Sequence, residues 1–203
     1  MEIIEPYVQI MDDVDELHIL GKLELCGRTA YKSEDKITKD SAGRFIRSII
    51  KSGHGSVLEH VNITVKFVCD RGVTHELVRH RIASYTQEST RYCNYYKKGV
   101  VFIRPPWGFD DEDLEFLERV ELQYNNKISE GQTPQQARAF LPNCLKTEIV
   151  TTMNVREWRH VLGLRTKPDC HPQMRQVMLM LLKEFKRELP LLFEDIDDSG
   201  QLE

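Results

Sequence analysis

"NITVKFVCDRGVTHELVRHRIASYTQESTRY", residues 62–92, decides the architecture of this chain. Ile63, Val65 and Phe67 alternate with Thr64 and Lys66, the two-residue period of a strand with one buried face. Asp70-Arg71-Gly72 marks the end of that strand. "THELVRHR" then opens at Thr74, a residue suited to N-capping, and continues in helix formers, which predicts a helix carrying Arg79, His80 and Arg81 in its last turn. Beyond it "IASYTQESTR" reads as a polar loop of hydroxyl, amide and guanidinium groups, the donors that suit phosphates and heterocycle edges. Cations in a last turn can serve the helix dipole. Consecutive helical residues, however, point about 100° apart, so three adjacent cations fan out toward different partners.

Working outward, residues 14–30 carry Ile19, Leu23, Cys26 and Ala30 at helical spacing, and residues 41–52 carry the pairs Phe45/Ile49 and Ile46/Ile50. Downstream, acids at 110–113 followed by Leu117, Val120, Tyr124 and Ile128 predict a helix over 110–129. Thr133-Pro134 starts another in cap-then-proline order, and "LKTEIVTTM", residues 145–153, is strand-like. Asn154 is placed to cap a helix beginning at Val155, and Asp169 one running to about Leu189. Helices and strands interleave without repeats, so the fold class is α+β: a single domain, one sheet covered by helices. That domain is expected over residues 1–193, with 194–203 as a loose acidic tail.

With 203 residues, 40% of them hydrophobic, the chain can bury one sizeable core. A net charge of -4 argues against a protein that coats nucleic acid through a general positive field, so any anion site is local. Acids crowd residues 1–25, whereas Arg71, Arg79, Arg81 and Arg91 face only Glu76 and Glu88 in their stretch. Five widely spaced cysteines without a C-x-x-C pair fit a reducing compartment. The acidic N-terminus lacks a signal-peptide apolar block, and the longest apolar run, Val177–Leu182, is too short to span a bilayer. A soluble cytoplasmic protein without membrane association is expected. No metal is assigned: His75 and His80 are five apart, about 140° around a helix, and cannot share one ion. "HGSVLEH", residues 54–60, also misses metal-site spacing, and neither a G-x-G-x-x-G nor a P-loop pattern occurs.

Arg79-His80-Arg81, seven residues and then Ser89, with Arg91 two places on, form an R-H-R-x7-S pattern. Together with "GHGSVLEH" (53–60), "ARAFLP" (137–142) and "NVREWRHVLGLR" (154–165), in order and spacing, the chain resembles the flavin-dependent thymidylate synthases along nearly its whole length. The resemblance implies a mostly antiparallel sheet and the methylation of dUMP to dTMP. Methylenetetrahydrofolate would be the carbon donor, FAD the hydride carrier and NADPH the reductant, with no reactive cysteine needed. It also implies a homotetramer with sites shared between subunits. The apolar run 177–182 fits a helix covered on several sides, which deep burial within one subunit explains equally well.

By the same resemblance, FAD is expected on Ser56, Arg79, His80, Arg81, Gln87, Asn154, Arg156 and His160. The nucleotide is expected on Glu76, Arg79, Gln87, Glu88, Ser89, Thr90, Arg91, Arg138 and Arg165, with Arg165 as the catalytic side chain facing the pyrimidine. Local pattern agrees in part. Arg156 and His160, four apart, share one polar helix face opposite Val155, Trp158 and Leu162, a face that solvent alone would also explain. Two positions depart from the family: Glu76 stands where some relatives carry glutamine, and His160 where others carry asparagine. The rival reading is a non-catalytic nucleotide or RNA-binding module, with the arginine loop as anion clamp and Tyr85, Tyr92, Tyr95 and Tyr96 as stacking platforms, against which the acidic balance weighs.

Overall fold

In a computed structural model, residues 1–96 and 98–199 are described. In chain order the elements are β1 (Glu2–Ile4), β2 (Tyr7–Ile10), α1 (Glu16–Thr29), α2 (Ser41–Lys51), β3 (Asn62–Asp70), α3 (Arg71–Leu77), β4 (Ala83–Gln87), β5 (Val101–Ile103), α4 (Asp111–Ser129), α5 (Pro134–Ala137), β6 (Lys146–Asn154), α6 (Val155–Arg165), α7 (Pro172–Glu188) and α8 (Pro190–Phe193). Short 3-10 turns cover Glu34–Lys36, Gly55–His60 and Arg138–Phe140.

The alternating stretch at 62–69 becomes the long strand β3. It pairs antiparallel with β6 from Asn62↔Asn154 to Asp70↔Lys146. With β2 and β4 outside them the order is β2-β3-β6-β4, all antiparallel. The expected single sheet is thus joined by a small parallel pair, β1 with β5.

Period-two alternation gives the large sheet one apolar face. Ile63, Val65, Phe67, Ile149 and Met153 are buried in a core shared with Leu23 of α1, Ile46 of α2, Trp158 of α6 and Phe185 of α7. The Trp158 indole N–H donates to the carbonyl of Ile63 at 2.9 Å, so the largest core ring carries no unpaired polar atom. A second cluster, Val100, Phe102, Leu117, Val120, Tyr124, Ala137 and Leu145, lies beneath α4. The apolar run of α7 is buried in its own chain at Val177, Met178, Leu181 and Leu182.

Four expectations are corrected. α3 begins at Arg71, because the Asp70 side chain accepts from Val73 N at 2.9 Å and so caps the helix, while Thr74 is buried inside it. The helix then ends at Leu77, which places Arg79, His80 and Arg81 after its last turn. "ASYTQ" is the edge strand β4: Ala83, Tyr85 and Gln87 point inward and Ser84 and Thr86 outward, an alternation masked by its polar side chains. α7 starts at Pro172 with His171 as its N-cap, so Asp169 lies outside it, since proline suits the first helical position. Nor is the acidic tail loose over 194–199. Ile196 is fully buried, and Arg159 donates to both carboxylate oxygens of Asp195, at 2.7 and 2.6 Å; residues 200–203 lie outside the described residues.

Candidate active site

The early stop of α3 makes the site. Past Leu77 the chain turns, and the Tyr85 hydroxyl on β4 lies 2.8 Å from the carbonyl of Leu77 and 2.7 Å from that of His80, pinning the turn to the sheet. His80 is buried, whereas Arg79 and Arg81 on either side are exposed. At the far end of β6, Asn154 caps α6 by accepting from Glu157 N at 2.8 Å, as its position in the sequence suggests. α6 then turns Arg156 and His160 outward, buries Glu157, and brings Arg165 to its last turn.

There Arg165 Nε donates to His80 Nε2 at 3.0 Å and Arg165 Nη1 to Glu76 Oε2 at 2.9 Å. Burial first, and then the nearby Arg165 guanidinium, lowers the His80 pKa to about 4, so the ring is neutral at pH 7 and able to accept. His160 sits edge-on to His80, ring centroids 6.3 Å apart. Glu76 also faces His171 Nδ1 at 3.9 Å. The carboxylate that departs from the family pattern therefore orients Arg165, not Arg79. Beside this cluster opens a cleft of about 390 Å³ lined by Glu59, Ile82, Asn154, Arg156, Glu157 and His160. Arg156 pairs with Glu59 at 2.6 Å, and a Cβ on Gly55 would stand 2.9 Å from Arg156 Nε. Glycine at 55 thus lets the turn bearing exposed Ser56 approach the guanidinium.

A second group of expected residues follows β4. Gln87 donates to Thr74 Oγ1 at 2.9 Å and Thr147 Oγ1 at 3.3 Å, tying β4 to α3 and β6. Glu88 accepts from the Tyr95 hydroxyl at 2.8 Å and Lys146 Nζ at 3.1 Å. Burial opposes the charge on Lys146, but its hydrogen bonds to Glu148 and Glu88 outweigh that and raise its pKa. Arg138, just past α5, donates to the buried Thr90 at 2.9 Å. Arg91 is exposed and lies 5.4 Å over the ring of Tyr92, while half-buried Ser89 closes the turn through its carbonyl, accepting from Tyr92 N and Cys93 N.

The structure therefore gathers the expected residues in two groups. Glu76, His80, Asn154, Arg156, His160 and Arg165, with Ser56 alongside, form one; Glu88, Ser89, Thr90, Arg91 and Arg138 form the other. Among the described residues no hydrogen bond or ion pair joins them. Tyr85 and Tyr95 are half-buried, with both hydroxyls engaged within the fold, whereas Tyr92 and Tyr96 are exposed. Burial raises the thiols of Cys69, Cys144 and Cys170, the reverse of what a nucleophile needs. Glu157 and Lys146 escaped the sequence reading as site residues, and Tyr85 and Tyr95 entered it only as stacking platforms of the rival module. Only the i, i+3 relation of Asn154 and Glu157 hints at the first.

The profile of the family described as "thymidylate synthase complementing protein" matches residues 18–191. A flavin-dependent thymidylate synthase of Mycolicibacterium vanbaalenii is 35% identical over 199 residues, covering 86% of this chain and 78% of that one. The chain belongs to the flavin-dependent thymidylate synthase family. Another member, from Pyrococcus furiosus, is 35% identical over 170 residues, covering 79% of this chain and 69% of its own. The fold of this family member matches that of the UMP/dUMP methylase PolB from Streptomyces cacaoi bound with 5-Br dUMP, with a TM-score of 0.77, 23% identity and 96% of each chain covered. Among the described residues of this thymidylate synthase family chain, no helix is long and apolar enough to cross a membrane. Nor do three or more His, Cys, Asp and Glu side chains gather there as a metal would require.

Proposed function

We propose that this chain methylates dUMP to dTMP in the cytoplasm, with methylenetetrahydrofolate as carbon donor and NADPH-reduced FAD as hydride carrier. The observation that carries the reading is the placement of Arg165: a cation held by His80 and Glu76, with His80 in turn set against His160 and Glu157 on the wall of a cleft that also carries Asn154 and Arg156. Arg156 on the cleft and the exposed Arg79 and Arg81 beside His80 suit the diphosphate, which arginine holds bidentately. Asn154, His160 and Ser56 supply neutral donors and acceptors. When bound there, the flavin supplies the redox chemistry that no side chain can.

The rest of the work is positioning and electrostatics. Ser89, Arg91 and Arg138 offer donors for a phosphate carrying nearly two negative charges, each charged bond contributing about 1.5 to 3 kcal/mol. Gln87, Glu88 and Thr90 hold that turn in shape. Arg165 stabilises negative charge on the pyrimidine as it develops. By the family resemblance the chain would form a homotetramer in which the phosphate-binding turn of one subunit faces the flavin cleft of another.

The test is anaerobic incubation of the purified protein with FAD, NADPH and methylenetetrahydrofolate, offering dUMP and UMP in parallel. Formation of dTMP at a higher kcat/KM than methylated UMP is expected. A protein that takes up FAD and methylates only UMP would replace the substrate. One that neither binds FAD nor makes dTMP would end the enzyme reading.

A further inference from the structure

Glu157 lines the cleft but has been given no role so far, yet it is a carboxylate only 8% exposed, on a helix turn whose neighbours Arg156 and His160 point outward. Burying such a group costs several kcal/mol unless it acts on something charged or polar. The helix start does not need it, because Asn154 already satisfies the Glu157 N–H. What the carboxylate faces is His80 Nδ1, 3.9 Å from Glu157 Oε1.

The bonding of His80 then fixes its proton. Arg165 Nε can only donate, so His80 Nε2 must present a lone pair. On a neutral ring the remaining proton sits on Nδ1, with its N–H dipole directed toward Glu157. At 3.9 Å the attraction is electrostatic or bridged by one water, longer than a direct hydrogen bond. Three titratable or charged groups face the ring: Glu157, Arg165 and His160. Burial and the Arg165 guanidinium keep the ring uncharged, and the Glu157 carboxylate, on the Nδ1 side, favours the same tautomer that the Arg165 bond requires.

We propose that Glu157 is a positioning residue that holds His80 in its Nδ1–H tautomer, so that Nε2 accepts from Arg165 and, opposite Glu76, sets the aim of its guanidinium. Without that bias the Nε2–H tautomer would set a donor against a donor, and Arg165 would turn away. The part concerning turnover rests on the role proposed above for Arg165; the part concerning the tautomer does not.

The test uses Glu157→Gln, with Glu157→Asp as the conservative variant, each loaded with FAD. Long-range 1H–15N correlation of histidine-labelled protein, with His80→Gln to assign the signal, reads the tautomer directly. Nδ1–H is expected in the unaltered chain, a shift toward Nε2–H in Glu157→Gln, and partial return in Glu157→Asp. The kcat for dTMP per bound FAD should fall about ten-fold in Glu157→Gln, the scale seen when a functional histidine loses its orienting partner, with KM for dUMP unchanged. Should Glu157→Gln not fold, Glu157→Asp carries the comparison. An Nε2–H ring in the unaltered chain, or the same tautomer in the variants, overturns the proposal, as does an altered tautomer with unaltered kcat. If the unaltered chain makes no dTMP at all, the proposed function fails while the tautomer still judges this inference.

Discussion

Replacing Arg165 with alanine separates the role of this side chain in chemistry from its role in the fold. In the structure it makes two bonds, to His80 Nε2 at 3.0 Å and Glu76 Oε2 at 2.9 Å. Its side chain is 22% and that of Glu76 26% exposed, so the ion pair is partly screened and its loss should cost only about 1 kcal/mol of stability. A preorganised charge aimed at a developing anion contributes far more to the barrier, about 3 to 4 kcal/mol, or roughly 10²- to 10³-fold in turnover. Arg165→Ala should therefore lose dTMP formation by two to three orders of magnitude, roughly, while FAD stoichiometry holds and the melting temperature barely moves. Removing the guanidinium also removes the second cause of the low His80 pKa, which should climb from about 4 yet stay below 6.5, because burial remains. The measurements are single-turnover dTMP yield, flavin absorbance per chain and a histidine NMR titration. Turnover within about tenfold of the unaltered chain, or FAD lost together with turnover, would refute the reasoning, since the first leaves too little of the barrier to assign to one charge.

His80 is neutral and depressed in the folded chain, so the unfolded chain binds the extra proton between pH 6.5 and about 4. Folding stability should fall as pH drops through that window, by at most about 3 kcal/mol, and His80→Gln should flatten that part of a urea-midpoint profile; parallel profiles would contradict it. Trp158→Ala opens a large cavity in the main core and strips the Ile63 carbonyl of its donor, so denaturant unfolding should show a loss of about 3 to 5 kcal/mol. Arg138→Ala should raise KM for dUMP roughly 10- to 100-fold with kcat nearly unchanged, the signature of a phosphate ligand; an unchanged KM would remove it from the site.

What was legible in the sequence follows from how local each cause is. β3, β6 and α4 declare themselves because alternation, apolar spacing and acidic caps lie within one element. β4 was hidden because Tyr85 and Gln87, its inward residues, are polar and find their partners on α3, on β6 and in the turn after α3. Asp70 reads as the end of a strand, yet its carboxylate also caps the next helix, which moved the start of α3 and carried Arg79–Arg81 out of it. The site residues came from a family pattern, and pairing them needed the fold: Glu76 and Arg165 are 89 positions apart, His80 and Arg165 85. Glu157 shows no signal beyond its i, i+3 relation to Asn154, since only the folded chain reveals that its carboxylate lies 3.9 Å from His80 on the wall of the cleft.

The most direct test of the whole account is a crystal structure of the chain with FAD and dUMP bound. The account predicts the isoalloxazine in the cleft beside His80 and His160, the phosphate of dUMP on Ser89, Arg91 and Arg138, and Arg165 against the pyrimidine. A nucleotide seated away from Arg165, with the arginine still closed onto Glu76 and the flavin elsewhere, would contradict it.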